Sequence, residues 1–383
     1  NARQRMGKTC ILFGAGAEQG LGISGGSAFA KTVLGIDAEP MNDAVREYYT
    51  NRKKSPGLKN SSWYPDYHKY TWDNKKLLEA AVKKKLLEDA LRYSTKEKFD
   101  AEVADMITNM SAEEREEVLE KYTSYMGLVD EQFHTLISPR PLGRDKFWSV
   151  VACYTRAYLL LAGEMLFPER KGDVLLSKAQ YMDILEDPKD AIQKMHDFAT
   201  AQRDVQSYYS ILRDSAIPNI KVITSNYTPA CKNIADLSDD NIAYVHGRFG
   251  LFELPYEFRV FDVEEESLSA DVYFPYIFIQ SGVKPIVEER QIDEFAKMLK
   301  FLREADKLIV VGYRINSDDN HINGILRSFL LSEKEIVFLD YDSGSTKEMI
   351  ARRLRIDEND PRLVHLSITK ENCYKVFAER LKQ

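Results

Sequence analysis

Short apolar runs of strand length, separated by stretches with helical spacing, mark both ends of this chain, and the pattern changes in between. Near the start, Thr9-Cys10-Ile11-Leu12-Phe13 is apolar almost throughout and leads straight into glycines. A run of this length without alternation reads as a strand buried on both faces. A short helix is expected after it, from about 26 to 34. From residue 220 onward the rhythm repeats. Strands are expected over 221–225, 242–245, 307–312, 335–340 and 363–366, and helices over 289–305, 321–331, 345–354 and 370–381. Strands alternating with helices in this way build a mostly parallel sheet covered on both faces.

Between about 39 and 214 helical periodicity takes over. Residues 75–93 carry Leu77, Leu78, Ala81, Val82, Leu86 and Leu87 on one broad stripe. Ser111-Ala112-Glu113-Glu114 is a capping box ahead of Val118 and Leu119. Residues 147–166 form a strongly apolar helix, and Pro188 suits the start of a helical stretch running to 213. A polar loop is expected around 51–73. The predicted fold class is therefore α/β: a Rossmann-like, mostly parallel sheet with helices on both faces, plus a large α-helical insertion. The sheet domain is expected to be discontinuous, over 1–38 and 215–383, with the insertion at 39–214. Binding sites in such sheets lie at the carboxyl ends of the strands.

Composition changes this picture little. The 383 residues are 44% hydrophobic and 30% charged, ordinary for a globular protein with a substantial core. A net charge of −7 argues against an extended nucleic-acid surface. No apolar run reaches the roughly 18 residues of a membrane span, and Cys10 to Phe13 is too short for a signal-peptide core. Asn1-Ala2 reads as the remnant of a cleaved tag, with Met6 a candidate natural start. The four cysteines, Cys10, Cys153, Cys231 and Cys373, are too scattered for a metal knuckle and are expected as buried thiols in a reducing cytoplasm.

Candidate chemistry gathers at the predicted strand ends. Gly14-Ala15-Gly16-Ala17 follows the first strand, where bare backbone lets N–H groups approach a pyrophosphate. Structural glycines in a strand-turn-helix would look the same. The dinucleotide spacing G-x-G-x-x-G fails, because position 19 is Gln19; Gly20 and Gly22 come late, so the loop is longer than in a dehydrogenase. Asp37 imitates the ribose-binding acid of such enzymes, but the intervening helix is short for a full crossover. Gly7-Lys8-Thr9 precedes its strand, whereas a phosphate-binding Lys-Thr follows its glycine loop.

Asn226 ends the strand Lys221-Val222-Ile223-Thr224, with Ser225 before it, and its amide suits orienting a water or a ribose hydroxyl. A turn asparagine is the plain alternative. His246 ends Ile242-Ala243-Tyr244-Val245 and precedes Gly247, and an imidazole there is a base near neutral pH. His68, His134, His196 and His365 show no such setting and are expected as surface or packing residues. After the strongest late strand comes Gly312-Tyr313-Arg314 and then Asp318-Asp319-Asn320-His321-Ile322. Asp319 or Asn320 is placed to cap the following helix, and Asp319 and His321 are either structural or site-lining. Asp340, ending Ile336-Val337-Phe338-Leu339, is placed for an adenosine ribose.

In this order the motifs resemble the sirtuin superfamily. Gly14-Ala15-Gly16 stands for its Gly-Ala-Gly loop, Ser225-Asn226-Tyr227-Thr228 for Gln-Asn-Ile-Asp, His246-Gly247 for His-Gly, Val311-Gly312-Tyr313-Arg314 for Val-Gly-Thr-Ser, and Asp340 for the adenosine asparagine. The resemblance covers roughly 9–37 and 217–383. It departs at Ser225 and Thr228, and no cysteine lies between Arg248 and Lys284, where protein deacylases of the family hold a four-cysteine zinc. The 312–322 segment is similar to the zinc-free bacterial sirtuin-like NAD hydrolases of antiphage defence, of the Thoeris-effector type. The resemblance implies an NAD+ glycohydrolase releasing nicotinamide and ADP-ribose, with Asn226 positioning water and His246 as base or ribose anchor. Gly14, Ala15, Gly16, Ala17, Gly22, Ser225, Gly312, Tyr313 and Asp340 are expected around NAD+, which is substrate, and no metal or zinc is expected. It further implies a regulated NAD-depleting effector, a homo-oligomer, and a separate activator or partner ATPase or Argonaute, without membrane or sequence-specific nucleic-acid contacts. Any sensor is expected in the insertion or in a separate protein. The rivals are a non-catalytic NAD or ADP-ribose sensor and a sirtuin-type ADP-ribosyltransferase or deacylase.

Overall fold

The computed structural model describes residues 8–24, 38–52, 144–169, 176–215, 217–254, 259–266, 273–278, 289–315, 319–341 and 345–383, together with Phe29 and Thr32. Among these lie nine strands: β1 Thr9–Phe13, β2 Lys221–Thr224, β3 Ile242–Tyr244, β4 Gly247–Leu254, β5 Arg259–Asp262, β6 Phe274–Ile277, β7 Lys307–Val311, β8 Glu335–Tyr341 and β9 Leu363–Ile368. The α-helices are α1 Glu39–Arg52, α2 Arg144–Leu166, α3 Lys178–Glu186, α4 Pro188–Ala201, α5 Tyr208–Asp214, α6 Ala230–Ala235, α7 Glu289–Glu304, α8 Asn320–Leu331, α9 Lys347–Leu354 and α10 Cys373–Lys382.

Six strands form one sheet in the order β3-β2-β1-β7-β8-β9, every neighbouring pair parallel. This is the doubly wound order of the Rossmann-like fold, and the direction of strand succession reverses between β1 and β7. The first strand sits at the centre because it is apolar on both faces. Ile11 and Phe13 join one core cluster, with Val222, Ile309, Val311, Val337 and Leu339. Cys10 and Leu12 join the other, with Ile223, Leu308, Val310, Ile336 and Phe338. The two-residue period of a strand thus divides one apolar run between two layers.

Helices α7, α8 and α9 cover the second face through Met298, Phe301, Leu302, Ile322, Leu326, Phe329, Ile350 and Leu354. The first face is covered by the helical segment itself. Met41, Tyr48, Tyr158, Met195 and Tyr209 lie in the same cluster as β1, alongside Phe377 of α10. Phe13 packs edge-on to Tyr209, ring centroids 4.9 Å apart. The helical stretch predicted from Pro188 to 213 divides into α4 and α5, because Ser207 opens a new helix with a capping box on Ser210. Residues 51–52, expected to begin a polar loop, still belong to α1.

A second, three-stranded antiparallel sheet, β5-β4-β6, was not anticipated. Its central strand β4 is buried on both sides, so the sequence shows no alternation there, and Gly250 interrupts the run with φ 97°. The predicted helix at 26–34 falls outside the described residues apart from Phe29 and Thr32, both helical. The 53–73 part of the polar loop, the helices expected at 75–93 and from Ser111, and Asp37, His68, His134 and Asp318 also fall outside them. Among the described residues no helix is long and apolar enough to cross a membrane. The four cysteines are free, with Cys10, Cys231 and Cys373 buried.

Candidate functional site

The loops leaving β1 and β7 meet at the reversal point. The Gly14 N–H donates to Val311 O and the Gly16 N–H to Gly312 O, each at 2.9 Å. A Cβ on Gly14 would stand 2.5 Å from Gly312 O, and one on Gly312, at φ 64°, would overlap Ala17 N. These glycines are required by loop-on-loop packing, whatever they also offer a ligand. The amides of Gly14, Gly16 and Ala17 are all spent inside the protein, so the open N–H cradle expected of Gly14–Ala17 is not formed at those three. Instead of entering an α-helix directly, the chain makes two 3-10 turns, Ala15–Ala17 and Gln19–Leu21, and Gly22 ends the second in a left-handed conformation.

Beside this loop, the end of β2 delivers Asn226 into a buried polar cluster. The Ser225 N–H continues the ladder to Phe13 O at 3.0 Å, and its hydroxyl reaches the same oxygen at 3.5 Å. Asn226 is 5% exposed. Its Nδ2 donates to Gly14 O at 3.0 Å and to Tyr209 Oη at 3.2 Å, which leaves Oδ1 to accept from a ligand hydroxyl or water. Glu18, also buried, completes the cluster: its Oε1 accepts from Tyr209 at 2.9 Å and from Thr228 at 2.8 Å. Burial pushes the Glu18 carboxyl up to about 7, against hydrogen bonds from Thr228, Tyr209 and Asn226 that pull it down. Sequence reasoning missed Glu18 and Tyr209. The one signal was Thr228, where the resemblance expects a carboxylate; the structure brings a carboxylate to that threonine from the glycine loop.

The end of β3 delivers the second group. The Val245 N–H bonds to Thr224 O, and Gly247, at φ 79°, turns the chain into β4. His246 between them is 6% exposed, and its Nε2 lies 3.2 Å from Asp319 Oδ1. Of the two capping candidates Asp319 occupies the N-cap position of α8, yet it makes no side-chain cap bond; the carboxylate faces His246 instead. His321, in the first turn of α8, brings its ring centroid to 5.5 Å from that of His246. His246, Asp319 and His321 offer one donor atom each, all within 4.8 Å of one another. The sequence named all three but did not assemble them. The charge of Asp319 also reaches Tyr227 and Tyr313, whose phenols are pushed up by burial first and by Asp319 second.

Other expected residues stand further round. Tyr313 is buried, its hydroxyl donating to Asn323 Oδ1 at 3.0 Å. Asp340 ends β8 nearly buried, and burial pushes it up to about 6 against the pull of Arg314 and Arg353. Two of the histidines expected as surface or packing residues lie beside carboxylates. His365 Nε2 lies 3.8 Å from Asp340 Oδ2. His196 is held by Asn233 Oδ1 at 3.0 Å and by Glu264 Oε1 at 3.1 Å. The partners of His196 lie at least 37 residues away in sequence, so no local pattern announced them.

No family model matches the chain, and no curated protein matches it. Among solved structures it is similar to a Sir2 enzyme at 12% identity and a TM-score of 0.31, covering 52% of this chain and 81% of that one. It is also similar to a Sir2 homologue in complex with NAD, at 12% identity and a TM-score of 0.32, covering 57% of this chain and 75% of that one. A Sir2 homologue variant with 2'-O-acetyl ADP-ribose gives 12% identity and a TM-score of 0.34, covering 52% and 76%. The likeness spans about half of this chain.

Proposed function

We propose that the protein is an NAD+ glycohydrolase, cleaving NAD+ to nicotinamide and ADP-ribose. The observation that carries this is the pairing of buried Asn226 and His246 at the carboxyl ends of adjacent parallel strands, β2 and β3, beside the reversal point of the sheet. Adjacent strands run about 4.8 Å apart, so side chains at the two ends reach one ribose. NAD+ would lie across the strand ends, its pyrophosphate passing the Gly14–Ala17 turn and Gly22 without bonds to the engaged amides of Gly14, Gly16 and Ala17, its adenosine toward Gly312, Tyr313 and Asp340.

Breaking the bond from ribose C1' to nicotinamide sends the electron pair out with neutral nicotinamide and leaves an oxocarbenium-like ribose. Water then bonds to C1' and loses a proton. Asn226 Oδ1 orients that water, its Nδ2 being anchored on Gly14 and Tyr209. The Asp319 carboxylate favours the His246 tautomer with its proton on Nε2, so Nδ1 carries the lone pair that takes the proton. Glu18, once ionised, adds negative charge beside the cationic ribose.

The test is nicotinamide release by purified protein. His246→Ala and Asn226→Ala should each reduce turnover by about two to four orders of magnitude while still folding, as checked by circular dichroism. Parent-like turnover in His246→Ala would remove it from the site. A second reading, an NAD or ADP-ribose sensor, is favoured by Thr228, whose hydroxyl is engaged by Glu18. Tight NAD+ binding without nicotinamide release would establish it. A role as a regulated NAD-depleting defence effector, acting with a partner or as an oligomer, rests on the motif resemblance and is tested by cellular NAD+ loss on induction.

A further inference from the structure

We propose that His246, Asp319 and His321 form a binding site for a divalent transition-metal ion of the zinc class, and that the bound ion switches the hydrolase off by taking its base. The inhibitory half rests on the proposed glycohydrolase; the site itself does not.

The donor set is two imidazoles and one carboxylate, the ligand types of zinc and its first-row neighbours. They arrive from the end of β3 and the first turn of α8, so the fold, not a local motif, assembles them. Around a tetrahedral ion with bonds of about 2.0–2.2 Å, neighbouring donors stand about 3.3 Å apart. The His246–Asp319 edge is already 3.2 Å. No edge exceeds 4.8 Å, so closure asks for side-chain adjustment, not backbone movement.

Two further observations point to a ligand there. Asp319 stands at the N-cap of α8 and makes no cap bond. An aspartate at this position normally accepts from the helix's first amides. This one forgoes that bond and aims its carboxylate at the imidazoles. The surroundings also suit a fixed site. His246 and Asp319 are buried, Phe295 meets the His321 ring edge-on at 5.4 Å, and Phe278 flanks His246 at 6.5 Å. Apolar walls of this kind hold ligand rings in place and limit water.

The coupling follows from the two ring nitrogens of His246. With its proton on Nε2, facing Asp319, the ring offers its Nδ1 lone pair to the attacking water. A metal ion on Nε2 needs a lone pair on Nε2 itself, so the ring proton must move to Nδ1. Nδ1 then becomes a donor, and the base is gone. Three protein ligands leave one position open for water.

The experiment uses the full chain after chelator treatment, titrated with zinc and, separately, cobalt salts. Calorimetry should give one zinc per chain with micromolar or tighter affinity, and cobalt should show the visible bands of four- or five-coordinate geometry. His321→Ala and Asp319→Asn, from different ligand positions, should each weaken binding by at least about tenfold. No zinc binding by the parent overturns the site, as does binding undiminished in both folded variants. Nicotinamide release is then measured with chelator and with zinc at saturation. Release that stops with zinc supports the switch, and release unaffected by bound zinc overturns it. A parent silent even in chelator overturns the glycohydrolase and the switch together, while the titration still decides the metal site.

Discussion

At the residue scale, the site's least ordinary group is Glu18. Its carboxyl, near 4.5 when solvated, is pushed up to about 7 by burial. Between those values the folded chain holds a proton that the unfolded chain has released, so stability falls as pH rises through this window. The full loss, complete above about pH 7, is roughly 3 kcal/mol. Glu18→Gln keeps an oxygen to accept from Tyr209 and Thr228 but cannot ionise. In urea denaturation the variant should gain on the parent by about that amount between pH 5 and pH 8. A difference that stays constant with pH would show that Glu18 does not titrate there. Asn226 and His246 were legible because each closes an apolar strand with a polar residue. Glu18 was not, because its partners Tyr209 and Thr228 lie 191 and 210 residues away.

At the element scale, the parallel strands and the helices of the second half were legible from period alone. The second sheet was not: β4 is buried on both sides and β6 fully so. Buried rings such as Tyr158 against Phe249 and Phe252 tie this sheet to the helical segment, and the pair His196–Glu264 adds a polar link from α4 to the turn after β5. The hydrogen bond that His196 donates to Glu264 raises His196 and lowers Glu264 to about 2. A depressed acid stabilises above its unfolded value near 4.5 and loses that as pH falls toward 2. A raised histidine stabilises below its unfolded value near 6.5 and loses that as pH rises through its folded value. Both contributions are whole between about pH 4.5 and 6.5. Glu264→Gln should therefore cost most stability near pH 5.5 and less at pH 3 and pH 9. A cost that instead grows steadily to pH 9 would mean that the charged pair does not form.

At the scale of the whole molecule, the doubly wound order follows from β1 being apolar on both faces, and it sets the loops of β1 and β7 against each other at the ligand end of the sheet. The sequence left the glycines there two explanations, close approach to a ligand or close approach to the chain itself. Packing supplies the second at Gly312, which has φ 64° and no room for a Cβ against Gly16 and Ala17. Gly22 is the control: its φ of 80° is just as left-handed, yet nothing lies within 4 Å of its missing Cβ. Alanine at Gly22 should cost only the backbone strain, about 1 kcal/mol. Alanine at Gly312 carries the same strain and must also drive the two loops apart, so it should cost at least about 3 kcal/mol. Separating the loops also dismantles the surface on which NAD+ is proposed to lie. ADP-ribose at a hundred times its dissociation constant should stabilise the parent by about 2.7 kcal/mol. Gly312→Ala should lose that gain. Equal stability costs in the two variants, with the ligand gain intact in Gly312→Ala, would mean that the meeting of the β1 and β7 loops does not hold the site together.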